Sequence, residues 1–109
     1  MKLVNIQWEF LQDVVKLLSF IKDNDLIATG GELWRTVEQQ RIYVKQGKSK
    51  TMNSLHLSRL AIDLNFFSDG NLIECPQMVG DYWESLNVNN EWGGHWRFRD
   101  LGHFQRNKV

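Results

Sequence analysis

The chain has 109 residues with 13 basic and 13 acidic side chains, so its formal charge is zero. At 42% apolar residues, with five Trp, two Tyr and six Phe, it carries apolar surface that a disordered chain lacks. A lone Cys75 excludes an intramolecular disulfide framework, and no stretch approaches the ~20 apolar residues of a membrane span. A single globular domain over residues 1–109 is therefore expected, with no membrane insertion. Glu9 and Asp13 interrupt the first apolar run, where an export signal needs an unbroken core. The chain thus reads as a cytoplasmic product when synthesised.

Residues 6–22 place Phe10, Leu11, Val14, Val15, Leu18 and Ile21 at helical spacing, with acidic residues early and lysines late, as a helix dipole favours. Leu26 to Trp34 reads as an extended segment interrupted by Gly30-Gly31. Thr36 and Gln39 form a capping-box pattern for a second helix over 37–46, with Gly47 as its stop. Residues 48–53 have loop composition. The clearest strand is 60–67, where Leu60, Ile62, Leu64 and Phe66 alternate with Ala61, Asp63, Asn65 and Phe67. Ser68 to Asn71 is a turn. Pro76 suits a first helical turn, and Met78, Val79, Tyr82, Trp83 and Leu86 form a third helical stripe. The tail from Asn87 reads as a loop feeding a short closing strand. The pattern is α+β, with helices packed on one side of a small antiparallel sheet.

The neutral total conceals a basic middle. Residues 1–34 sum to −2, residues 35–59 to +5 and residues 60–109 to −3. A basic segment attracts anionic partners, but a solvated helix face and loop is the commoner reason for one, and no nucleic-acid partner is expected.

The metal-capable side chains are few. His56, His95 and His103 are the three histidines, and each lies in a turn-rich or strand-edge context. Asp63 sits in the strand on the face opposite Ile62 and Leu64, where it either points away from the core or needs a partner to offset burial of a carboxylate. Asp100 and His103 form a D-x-x-H pair, with Gly102 permitting the bend or close approach that converges them. A zinc peptidase needs three protein ligands, an open position for water and a nearby carboxylate base. His56, Asp63 and His103 can supply the ligands and Asp100 the base. Structural roles stay open from spacing alone: a strand-end Asp63 accepting backbone N–H groups, an Asp100 paired with Arg97 or Arg99, or an Arg35 that is an ordinary surface charge.

Longer motifs sharpen this. The segment Ser54-Leu55-His56-Leu57-Ser58-Arg59-Leu60-Ala61-Ile62-Asp63 resembles the S-x-H-x-x-G-x-A-x-D signature of the zinc D-alanyl-D-alanine carboxypeptidases and the related L-alanyl-D-glutamate endopeptidases of phage endolysins. Glu91 to Trp96, followed by Asp100-Leu101-Gly102-His103-Phe104-Gln105, resembles the W-G-G-x-W…D-x-x-H-F-E close of that family. Arg35-Thr36-Val37-Glu38-Gln39-Gln40 and Gly47-Lys48-Ser49 resemble its R-T-x-x-x-Q…G-[KR]-[ST] segment. Three blocks in order cover roughly residues 30–105. The resemblance implies the α+β fold shared by these peptidases and the Hedgehog signalling domain, with one zinc in a cleft. It departs at two positions, with Arg59 in place of Gly and Gln105 in place of Glu. Arg59 implies either a rebuilt turn or a charge at the cleft rim.

By the same resemblance, His56, Asp63 and His103 bind zinc and Asp100 is the general base. Arg35 stabilises the oxyanion or holds a substrate carboxylate, and Ser54 and Gln40 bind substrate or orient a ligand. His95 is expected at the cleft rim and not as a ligand. Trp8 and Trp83 are expected in the core, Trp34, Trp92 and Trp96 along the cleft, and Cys75 buried. The implied function is hydrolysis of a peptide bond in the peptidoglycan stem, L-Ala–D-Glu favoured over D-Ala–D-Ala. The implied setting is a monomeric phage or prophage endolysin that reaches the wall after release by another protein. The alternative is a non-catalytic peptidoglycan-binding or virion structural domain on the same fold.

Overall fold

The computed structural model describes residues 1–49 and 51–108. Lys50, counted in the basic middle and in the 48–53 loop, lies outside the described residues. Among the described residues three α-helices, α1 (Leu3–Asp23), α2 (Val37–Lys45) and α3 (Gln77–Leu86), accompany five strands: β1 (Ile27–Gly30), β2 (Ala61–Ser68), β3 (Asn71–Ile73), β4 (Asn90–Trp92) and β5 (His103–Arg106). The sheet order is β1-β2-β5-β4, with β3 also paired to β2, and every pairing is antiparallel. This is the α+β architecture expected from the sequence.

Period-two alternation decides what each face of the sheet carries. Leu64 and Phe66 of β2, Trp92 of β4 and Phe104 of β5 join Phe10, Val14, Leu17 and Ile21 of α1 and Val79 and Trp83 of α3 in one core. The intervening positions, Asp63 and His103, stand on the other face. Helices α1 and α3 thus close one side of the sheet, while α2 stands by the cleft on the other.

Four details differ from the sequence reading. On α1 the buried residues are Phe10, Asp13, Val14, Leu17 and Ile21, while Leu11, Val15 and Leu18 are exposed. The helix is rotated because Asp13 is needed inside: it pairs with Arg106, which is 3% exposed, and accepts from Asn90 Nδ2 at 3.1 Å. Trp8 accordingly lies on the outer face, 63% exposed, and not in the core. Past the turn, Asp69 and Gly70 both take positive φ and reverse the chain into β3, the two-residue Asp-Gly hairpin that right-handed strand twist favours. The tail forms β4 as well as the closing strand. At α2, the Thr36 side chain accepts from the Gln39 N–H at 3.0 Å, as its capping pattern predicts.

Candidate active site

The signature around His56 folds as a short 3₁₀ turn, Leu55–Ser58, capped by the Ser54 hydroxyl. Arg59 closes it in the left-handed region at φ 57° and ψ 37°. Arg59 adopts the conformation for which Gly is the usual choice. Its guanidinium lies 4.6 Å over the Trp34 ring, on the α1 side of the molecule, and neither residue lines the cleft.

Antiparallel register places Asp63 opposite His103. His103 Nδ1 lies 3.1 Å from Asp63 Oδ1, and His56 Nε2 lies 3.3 Å from Asp63 Oδ2. The two imidazole rings meet edge-on with centroids 5.1 Å apart. One ligand atom from each of the three residues lies within 4.8 Å of the others. Two glycines allow this convergence. A Cβ on Gly102 meets the Leu64 carbonyl oxygen at 2.4 Å, and one on Gly93 meets the Asp100 carbonyl oxygen at 2.3 Å.

The protonation pattern follows from the partners. His56 Nδ1 is 3.1 Å from the Leu33 carbonyl, which only accepts, so Nδ1 carries the hydrogen and Nε2 presents a lone pair. That Nε2 is buried without a hydrogen-bond partner, the one such side-chain atom among the described residues. His103 Nε2 is 2.8 Å from Gln105 Oε1 and donates to it, which turns Nδ1 toward Asp63. Two imidazole lone pairs and a carboxylate converging on one point form a donor set suited to a divalent cation, with carbonyl and amide oxygens behind the rings fixing their orientation.

Electrostatics matches this geometry. Burial works to raise the Asp63 carboxyl, but the adjacent His103 and His56 imidazoles outweigh it and hold the group well below the usual carboxylate range. For His103, burial works to lower the imidazole, and the bonds to Asp63 and Gln105 carry it above its ordinary value. Asp100 behaves differently: partial desolvation raises its carboxyl, opposed by His103 and reinforced by Asp63.

These residues open on a cleft of about 640 Å³. Asp100, Arg35, Ser54 and Trp96 line it with the His56–Asp63–His103 centre, and Lys48 and Tyr43 stand on its wall. Arg35 is held on several sides. It pairs with Glu32, donates from Nη1 to Gln40 Oε1 at 2.7 Å, and lies 4.7 Å over the Tyr43 ring. Tyr43 in turn donates to Glu32 Oε2 at 3.0 Å. Gln40 is fully buried and is absent from the cleft lining. Its amide joins Arg35 to Ser49 and the Thr51 carbonyl, so it braces the cleft wall from behind.

The structure thus assembles His56, Asp63, His103, Asp100, Arg35 and Ser54 around one cleft and sets Gln40 behind it. Of the tryptophans expected along the cleft, only Trp96 lines it; Trp92 is buried in the core. His95 is not at the rim. It lies against Trp92, with Nδ1 3.0 Å from Glu84 and Nε2 3.6 Å from Asp81. Glu32 and Tyr43 were missed by the sequence reading. Glu32 and Arg35 lie in the loop before α2, where helical spacing gives no signal for the pair. The Leu33 carbonyl, being backbone, leaves none.

The comparisons with known proteins agree with the geometry. A family model described as D-alanyl-D-alanine carboxypeptidase matches residues 47–106, more than half of the chain, and the chain belongs to this peptidase family. It is 33% identical over 98 residues to the L-alanyl-D-glutamate peptidase of Listeria phage A118. That match covers 84% of this chain and 34% of the relative, so the chain spans about a third of the length of that curated protein. Among solved structures, the Serratia marcescens L-Ala D-Glu endopeptidase ChiX is similar with a TM-score of 0.56 and 28% identity, over 75% of this chain and 68% of that one. Among the described residues, no helix is long and apolar enough to cross a membrane.

Proposed function

We propose that this protein is a zinc-dependent peptidase that hydrolyses the L-Ala–D-Glu bond of the peptidoglycan stem peptide. The observation that carries the reading is the bare, buried Nε2 of His56, facing a carboxylate and a second imidazole on a polar cleft. The activities named for the phage and Serratia relatives favour the endopeptidase over the carboxypeptidase reaction.

His56, Asp63 and His103 hold the metal in this reading. Bound there, zinc supplies Lewis acidity toward a carbonyl and lowers the pKa of a coordinated water toward ~7. Asp100 accepts the proton of the attacking water on its carboxylate and returns it to the departing amine. Arg35, fixed by Glu32 and Gln40, presents positive charge to the developing oxyanion or to a carboxylate of the acidic stem peptide. Ser54 and Lys48 add a hydroxyl and a second cation on the cleft wall.

A single domain over residues 1–109, acting as a monomer in a phage or prophage endolysin that meets the wall after release by another protein, is the setting we propose. The test is incubation of the purified protein with disaccharide-peptide muropeptides, with and without a chelator, followed by mass spectrometry. Chelator-sensitive cleavage between L-Ala and D-Glu is expected. Loss of a terminal D-Ala instead identifies the carboxypeptidase reaction. No cleavage by the zinc-loaded protein overturns the enzymatic reading in favour of a non-catalytic wall-binding module.

A further inference from the structure

His103 is the start of a chain of hydrogen bonds that ends on a carboxylate two side chains beyond its direct partner. His103 Nε2 donates to Gln105 Oε1 at 2.8 Å; Gln105 Nε2 donates to Asn107 Oδ1 at 2.7 Å; Asn107 Nδ2 donates to Glu91 Oε2 at 2.9 Å. The other Glu91 oxygen accepts from Trp96 Nε1 at 2.6 Å, and the Trp96 ring lies 5.0 Å from the His103 ring. The chain is a product of the sheet. His103 and Gln105 sit two apart on β5 and share its cleft face, Asn107 continues that spacing just beyond the strand, and Glu91 of β4 is in register with Gln105.

The direction of every bond is dictated from the far end. An ionised carboxylate only accepts, so Asn107 must turn its amino group to Glu91 and its oxygen to Gln105. Gln105 must then turn its amino group to Asn107 and its oxygen to His103. His103 must carry its hydrogen on Nε2, which leaves Nδ1 for the centre shared with Asp63 and His56. We infer that Glu91 is a positioning residue for His103, acting through Gln105 and Asn107 to orient the imidazole for metal binding. A carboxylate at position 105 acts on the ring directly; here the same polarity arrives through two neutral amides. The inference rests on the zinc reading above.

Glu91→Gln offers an amide in place of the carboxylate. If its oxygen keeps Trp96, its amino group faces Asn107, and both amides must reverse, so that Gln105 presents N–H to His103 Nε2. Changes to the partners behind a metal ligand typically weaken metal binding 10–100-fold. The experiment measures zinc affinity by competition with a chromogenic chelator, alongside the melting temperature of each metal-free protein. Wild type is expected to bind one zinc, Glu91→Gln to bind it about tenfold more weakly, and the double variant Glu91→Gln, Gln105→Glu to recover wild-type affinity. A general loss of folding lowers the metal-free melting temperature and is not reversed by moving the carboxylate. Unchanged affinity in Glu91→Gln, or a loss that the double variant does not restore, overturns the positioning role and leaves the zinc reading intact. Failure of the wild type to bind zinc overturns both.

Discussion

Asp63 and His103 stand directly opposite each other across the β2–β5 ladder, with Oδ1 and Nδ1 3.1 Å apart. Forty positions separate them in sequence, and a single antiparallel register makes them neighbours. Because side chains alternate, a one-residue slip of β5 sends His103 into the core and Phe104 into the cleft. The burial of Phe104 against Trp83 and Phe66 therefore guards the register that forms the site.

Gly102 is the tightest point of that junction. Its hydrogen lies where a Cβ meets the Leu64 carbonyl oxygen at 2.4 Å, while the Gly102 carbonyl accepts from the Leu64 N–H at 2.8 Å. Gly102→Ala is expected to destabilise the fold by about 1–3 kcal/mol, the usual cost of overpacking. It should also weaken zinc binding, because β5 cannot move without carrying His103. Thermal unfolding and chelator competition on the same variant check both effects.

In the proposed mechanism Asp100 separates catalysis from metal binding. It lines the cleft and is not one of the three converging groups. Asp100→Asn is expected to keep stoichiometric zinc while lowering kcat about 10²–10⁴-fold, the range usual for loss of a general base. Metal analysis paired with muropeptide turnover measures the two separately, and an unchanged rate removes Asp100 from the mechanism.

Asp13 and Arg106 form a buried pair on the opposite face, joined by Asn90 and by Glu9 at 3.1 Å from Arg106 Nη1. Removing Asp13 leaves Arg106 with only the half-exposed Glu9 as counter-charge, and breaking such a buried pair costs about 3–5 kcal/mol. Asp13→Ala is expected to show a loss of that size in denaturant unfolding. Exposed Asp23 of the same helix, changed to Ala, should shift the midpoint little.

Cys75 gives a pH dependence of known sign. Burial pushes its thiol up from 9.0 to about 12, against a smaller lowering by a backbone bond from Gly80. In the folded chain the thiol stays protonated while the unfolded chain ionises. Its contribution to stability is thus complete below about 9 and falls as pH rises toward 12. Wild type is expected to lose stability relative to Cys75→Ala between those values in urea titrations. Cys75 should also react slowly with thiol reagents at pH 8 in the folded protein.

Local patterning determined most of the elements and the chemistry available to them. Alternation in β2, the Thr36 cap, the Asp-Gly reversal and the His56 signature are all short-range features, whose energetics act within a few residues. Spacing also separated Asp63 from the apolar face of its strand. What only the tertiary structure decided is which distant groups meet. The rotation of α1 depends on Arg106, far along the chain, drawing Asp13 inward. The burial of Gln40 depends on the loop that returns over α2. His56 is oriented by a backbone carbonyl, which every residue possesses and no sequence pattern marks. Zero net charge, uninformative as a total, becomes meaningful only when folding distributes it. Arg106 is neutralised within the core, Arg35 is held by Glu32 on the cleft wall, and Asp63 is left facing two imidazoles. The Arg106 and Asp63 pairings are set by strand register and helix docking, which act at a range that composition cannot express.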